Sequence, residues 1–205
     1  MRILSHRLPH RLARRLAMSA GLALALSGCV SLGGDPPPSL LTLTAESTSE
    51  AGAVARGTSA EAITVIEPTA PTRVAVTRVP VQVDDTTVQY LKDAVWVEKP
   101  TRLFRRLLSE TITAKTGRVV LDGLDPAFRT NTSVRGSLTE FGYDARTSSV
   151  IVRFDAVREG GENALVTRRF ESVVPVVEAE VGPVGDALNR AANDVAGQVA
   201  DWISQ

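Results

Sequence analysis

The fold class that this sequence predicts is α+β: a mostly antiparallel sheet with two amphipathic helices packed on one face, preceded by a signal peptide and a flexible tether. Three observations lead there. Two stretches, near 100–117 and 184–203, repeat apolar residues at three- and four-residue spacing, each a helix with one stripe to bury. Three longer β segments, 132–143, 149–158 and 164–174, are separated only by the short polar connections DARTS and EGGEN, the pattern of a meander with one solvated face. The chain has 205 residues, 43% of them hydrophobic, enough for one domain with a core but not for two.

The first 28 residues read as an address. Arg2, Arg7, Arg11, Arg14 and Arg15 make a basic start without a single acid, and Leu16 to Leu26 is an apolar run. That run has the length of a secretory signal and falls short of the ~20 residues that span a bilayer. It ends in Leu26-Ser27-Gly28-Cys29, which holds the only cysteine of the chain. This junction resembles the bacterial lipobox. The resemblance implies that a signal peptidase recognises Leu26, Ser27 and Gly28 and cuts before Cys29. It also implies that the Cys29 thiol takes a diacylglyceryl group as a thioether and that the new amine is acylated. Each buried CH₂ contributes ~0.8 kcal/mol, so two or three chains on one residue hold it permanently to a membrane. Val30 stands where an aspartate would retain a lipoprotein at the inner membrane, which points to the periplasmic face of the outer membrane.

Residues 29–39 are a lipidated tether, with Gly33 and Gly34 flexible and Pro36-Pro37-Pro38 stiff. The folded domain then runs over 40–205. Leu40 to Thr44 reads as a short first strand. Residues 45–61 hold no large apolar residue but Val54, and cannot offset the entropy of ordering, so a mobile loop is expected. Ile63 to Ile66 is a strand by its β-branched residues, and Pro68 and Pro71 interrupt it. Arg73 to Val79 alternates like a half-buried strand, Pro80 interrupts again, and Asp84-Asp85 marks a turn. Val88 to Val97 is a mixed segment containing Tyr90 and Trp96.

Pro100 opens the first helix, whose stripe is Leu103, Phe104, Leu107, Leu108 and Ile112, and Gly117 ends it. Arg118 to Leu121 is a further short strand. The second helix has its stripe at Val184, Leu188, Ala191, Val195, Val199, Trp202 and Ile203, with Asp186 placed at the positive end of its dipole.

Catalytic chemistry is not evident. Both histidines, His6 and His10, lie in the signal, so the mature chain has no histidine base or ligand. No phosphate-binding GxxxxGK[ST] loop occurs. Asp122 and Asp125 in LDGLDP lack the ligand series of a calcium loop and read as a turn. Asp84/Asp85 and Glu178/Glu180 read as exposed acids rather than a glycosidase pair. Beyond residue 28 there are 18 basic and 23 acidic residues, which disfavours nucleic acid as a partner. Arg102, Arg105 and Arg106 read as the solvated face of the first helix, with a contact to phosphate or an acidic partner as the functional alternative. The expectation is a protein that is not an enzyme and carries no metal or cofactor.

The stretch VQYLKDAVWVEKPTRLFRRLL, Val88 to Leu108, adds to this reading. With Tyr90, Asp93, Ala94, Trp96, Pro100, Leu103, Leu107 and Leu108 at matching positions, it resembles the auxiliary lipoproteins of ABC-type transport systems, the family of the paraquat-inducible C lipoprotein. The order of lipobox, first strand, meander and final helix follows that family over nearly all of the mature chain. Leu40-Leu41-Thr42-Leu43 lacks the family's tyrosine, and the 45–61 loop is longer than usual. The resemblance implies a lipid-anchored subunit that docks with a mammalian-cell-entry-type periplasmic protein, an ABC permease and its ATPase. It implies transport of lipids or other hydrophobic substrates, with Tyr90, Asp93 and Trp96 as partner-binding residues. An envelope assembly or structural lipoprotein, unrelated to any ABC transporter, is the alternative.

Overall fold

The structure is a computed structural model, and it describes residues 39–123, 130–160 and 164–205. The elements follow in the order β1 (Ile63–Val65), β2 (Arg78–Gln82), β3 (Val88–Val95), α1 (Pro100–Thr116), β4 (Val120–Asp122), β5 (Thr132–Asp144), β6 (Ser149–Glu159), β7 (Leu165–Pro175) and α2 (Val181–Ile203). The α+β class is as the sequence predicts, but the sheet is mixed.

β5, β6 and β7 form the antiparallel meander. On the other edge of β5 the sheet forks. β1 pairs with its first residues and β2 with its last, both parallel, and β1 is in turn parallel to β4. β3 then pairs antiparallel with β2. "Mostly antiparallel" is therefore corrected to mixed. The reason is connectivity: α1 carries the chain back between β1 and β4, and a crossover of that kind joins parallel strands.

Between β1 and β2 the chain keeps company with β5 through the Thr69–Ser137 bridge, yet forms no continuous strand. Pro68 and Pro71 have no N–H to give the ladder. The strand expected over Arg73 to Val79 is instead a run of turns and bends over residues 72–77, and β2 begins only at Arg78. Val74 is nevertheless fully buried, because the turn folds it inward. Pro80, expected to interrupt, lies inside β2, opposite Tyr90. The first strand expected at Leu40–Thr44 is reduced to one bridge, Leu41 with Trp96.

Both helices keep their predicted stripes. Leu103, Phe104, Leu107, Leu108 and Ile112 of α1 are buried. So are Val184, Leu188, Ala191, Val195, Val199, Trp202 and Ile203 of α2. The two helices touch each other and lie over the sheet face that carries Val134, Leu138 and Phe141 of β5 and Val150, Val152 and Phe154 of β6. Phe104 meets Phe154 edge-on at 5.3 Å, and Phe170 meets Trp202 at 5.4 Å. Gly117 caps α1 in the left-handed conformation, φ 67°, with its N–H on the Thr113 carbonyl. α2 begins at Val181, so Asp186 sits in its second turn, and the first turn holds no acid. The dipole role expected of Asp186 is not realised, since that effect is confined to the first turn.

Candidate docking edge

The first part of the stretch that carries the family resemblance, β3, forms one border of the sheet. Asp84 turns the β2–β3 hairpin: its Oδ1 accepts from the Thr86 N–H at 2.9 Å, the Thr87 N–H at 2.8 Å and the Thr86 hydroxyl at 3.0 Å. Those donors, the Thr86 N–H foremost, hold its carboxyl below the usual range. Asp85 reaches Arg146 at 2.5 Å, and Arg146 also grips the buried Asp144 at 2.6 Å and 2.9 Å. The Arg146 hydrogen bonds push the Asp144 carboxyl below its ordinary value, against the opposing effect of burial. The two turn acids are thus committed to the turn and to an ion pair.

β3 leaves this hairpin as the end strand of its branch of the sheet. Tyr90 is half-buried, with the Arg78 guanidinium 4.3 Å from its ring centre, a cation–π pair on the surface. Asp93 is exposed and has φ 58°. The register between β2 and β3 shifts across this region, from Pro80↔Tyr90 to Arg78↔Val95. The bulge lets Leu91, Ala94 and Trp96 all turn inward. Trp96 is only 2% exposed and meets Phe141 at 5.4 Å with the two rings tilted by 55°. Its Nε1 has no hydrogen-bond partner among the described residues. Of the three expected partner-binding residues, Tyr90 and Asp93 therefore face solvent, while Trp96 supports the strand from beneath.

The segment entering the fold reaches the same border. The Leu41 N–H donates to the Val95 carbonyl at 2.8 Å, and the Val97 N–H to the Leu41 carbonyl at 2.9 Å. Sequence reasoning passed over Arg78, Asn189 and Asn193, which all shape this border. Arg78 is recognisable only once the hairpin register sets it beside Tyr90, and the asparagines only once α2 lies along residues 41–46.

Leu26, Ser27, Gly28 and Cys29 lie outside the described residues, as does Asp125. The α1 arginines are each matched by an acid: Arg102 with Glu67 at 3.8 Å, Arg105 with Asp122 at 2.5 Å, and Arg106 with Glu98. Among the described residues no cluster of His, Cys, Asp and Glu suits a metal ion. A cavity of about 100 Å³ beside β2 and β5 is lined by Arg73, Arg146, Arg153, Glu140 and Asp144, a wall unlike the mostly apolar lining of small-molecule sites. No described helix is long and apolar enough to cross a membrane.

Comparison with known proteins places the chain as a whole. The sequence profile of a family described as "ABC-type transport auxiliary lipoprotein component" matches residues 41–200, from the bridging Leu41 to the last turns of α2. Among solved structures, a Xanthomonas campestris protein of the DUF330 family aligns with a TM-score of 0.66 and 15% identity, over 80% of this chain and 94% of its own. An uncharacterized protein aligns with a TM-score of 0.62 and 13% identity, over 80% of this chain and 99% of its own. At such identities these likenesses show the fold alone. No curated protein matches.

Proposed function

The chain belongs to the family of ABC-type transport auxiliary lipoprotein components, and from that premise we propose that it is a lipid-anchored, non-catalytic subunit docking through its β3 border onto a periplasmic partner. The partner in this reading is a mammalian-cell-entry-type protein working with an ABC permease and its ATPase. The cargo is lipid or another hydrophobic substrate. The anchor is Cys29, and the location is the periplasmic face of the outer membrane.

The observation that carries the proposal is the meeting of two features at one border. The Arg78–Tyr90 pair is the kind of exposed aromatic and arginine surface that anchors interfaces. The chain enters the fold at Leu41 on the same strand. Ten residues, 30–39, separate Cys29 from the folded domain, a reach of at most about 35 Å. A short tether of this kind keeps the docking border at high effective concentration near its membrane. Asp93 adds an exposed carboxylate beside Tyr90, and the buried Trp96 holds the strand that presents both.

The test is crosslinking of the full-length tagged protein in its own envelope, followed by mass spectrometry of the recovered partners. The expected result is co-recovery of a mammalian-cell-entry protein, the permease and the ATPase. Tyr90→Ala is expected to cut that recovery about tenfold, the scale of an interface anchor. If a crosslinker shown to work brings down outer-membrane proteins alone, the transport reading fails and envelope assembly takes its place.

A further inference from the structure

Residues 41–46 are held in an unusual manner. Leu41, Leu43 and Ala45 are half-buried and pack on the core, while Thr42, Thr44 and Glu46 are exposed, the alternation of a strand. Yet the bonds of 42–46 to the rest of the fold come from side chains of α2. Asn189 Oδ1 accepts from the Thr44 N–H at 2.8 Å. Asn193 Oδ1 accepts from the Glu46 N–H at 2.8 Å, and Asn193 Nδ2 donates to the Thr44 carbonyl at 2.9 Å. Asn193 is 8% exposed.

The spacing explains why two asparagines serve an extended chain. Residues four apart on a helix are about 6 Å apart along its axis. Residues two apart on a strand are about 6.7 Å apart. Asn189 and Asn193 thus match Thr44 and Glu46, and α2 imitates one side of a β ladder. Gly185, four residues earlier on the same row, leaves room for Leu41: a Cβ there would come 2.7 Å from Leu41 Cδ2. Asparagine suits the role because one amide both donates and accepts.

We propose that residues 41–46 are a strap that opens and closes over α2 and the end of β3 without unfolding the domain, with Asn193 as its latch. Among the described residues only two backbone–backbone bonds, both at Leu41, tie the strap to the end of β3 and to Val97, and segments held by few backbone bonds open below the global unfolding free energy. Opening frees the Val95 carbonyl and the Val97 N–H, which lengthens the border available beside Tyr90. It also places the strap between tether and domain, so that tension on the tether acts on it first. The strap stands whether or not the partner belongs to a transport system.

The test is residue-resolved amide hydrogen exchange on the full-length protein in detergent. The bonded amides of Leu41, Thr44, Glu46 and Val97 are expected to exchange at least about a hundredfold faster than the bonded amides of β5 and β6. Asn193→Asp, which removes the donor to Thr44, is expected to speed exchange in 41–46 by a further three- to tenfold or so, with β5 and β6 unchanged. Protection of 41–46 equal to that of β5 and β6 in the unaltered protein overturns the proposal. So does acceleration of every element alike by Asn193→Asp. The measurement on the unaltered protein decides the matter even where the variant does not fold.

Discussion

Single residues divide into those that satisfy their surroundings and those that do not. Asp144 is buried and its charge is held by Arg146. Because its folded pKa is depressed, its contribution is complete above the unfolded carboxylate value of about 3.9 and is lost as pH falls through the folded one. Asp155 follows the same sign through Arg169, but that pair is largely exposed and contributes little. Asp144→Asn is expected to cost about 1–2 kcal/mol at pH 7, discounted for the partial exposure of Arg146. It is also expected to flatten the loss of stability below about pH 4; urea midpoints at pH 7 and pH 3 check both. Thr111 is the opposite case, a buried hydroxyl with no partner. Thr111→Val keeps the shape and helix propensity and removes the unpaired group. It is expected to raise stability by about 1 kcal/mol, which a denaturant midpoint would show.

At the scale of elements, the sheet depends on irregularities. β5 carries a bulge near Thr139, where its register with β6 slips between Leu138 and Glu140. That extra residue moves the inward positions from Val134 and Leu138 to Phe141 and Tyr143, so one long strand keeps its apolar side on the helices throughout. Asp93 does the same for β3 with a left-handed residue. Between these adjustments the strands approach closely: a Cβ on Gly136 would lie 2.2 Å from the Asp155 carbonyl oxygen and 2.8 Å from the Phe154 ring. Backbone cannot yield as a flexible side chain does. Gly136→Ala is expected to destabilise the domain by about 3 kcal/mol, read from urea unfolding, with tryptophan fluorescence following Trp96 and Trp202.

For the whole molecule, both helices and both branches of the sheet share one apolar cluster. Cys29, the proposed anchor, precedes every residue of that cluster in sequence, so attachment and folding are expected to be separable. Cys29→Ser replaces the thiol by a hydroxyl that does not form the thioether. It is expected to abolish incorporation of labelled fatty acid into the protein, with an unchanged circular dichroism spectrum and melting temperature. A variant that still takes up labelled fatty acid would remove Cys29 as the anchor from the proposed function.

What depends on neighbours along the chain can be read from residue order alone. Helical stripes, the Pro100 and Gly117 boundaries and the β5–β7 meander are local patterns of three to four residues or of two, and all are legible in it. The family resemblance in Val88 to Leu108 was legible for the same reason, since its motif lies in one continuous stretch. The parallel pairing of β1 and β2 with β5 was not, because a crossover joins residues far apart in the chain. The turn over residues 72–77 was misread as a strand because Val74 and Val76 alternate, although only burial against the rest of the core makes Val74 point inward. Within the candidate site, Tyr90 and Asp93 were visible as residues, but the burial of Trp96 and the pairing of Tyr90 with Arg78 follow from the hairpin register. The grip of Asn189 and Asn193 on Thr44 and Glu46 joins residues 145 to 149 positions apart. It follows from how α2 packs, because a hydrogen bond between such distant residues leaves no periodic trace in either segment.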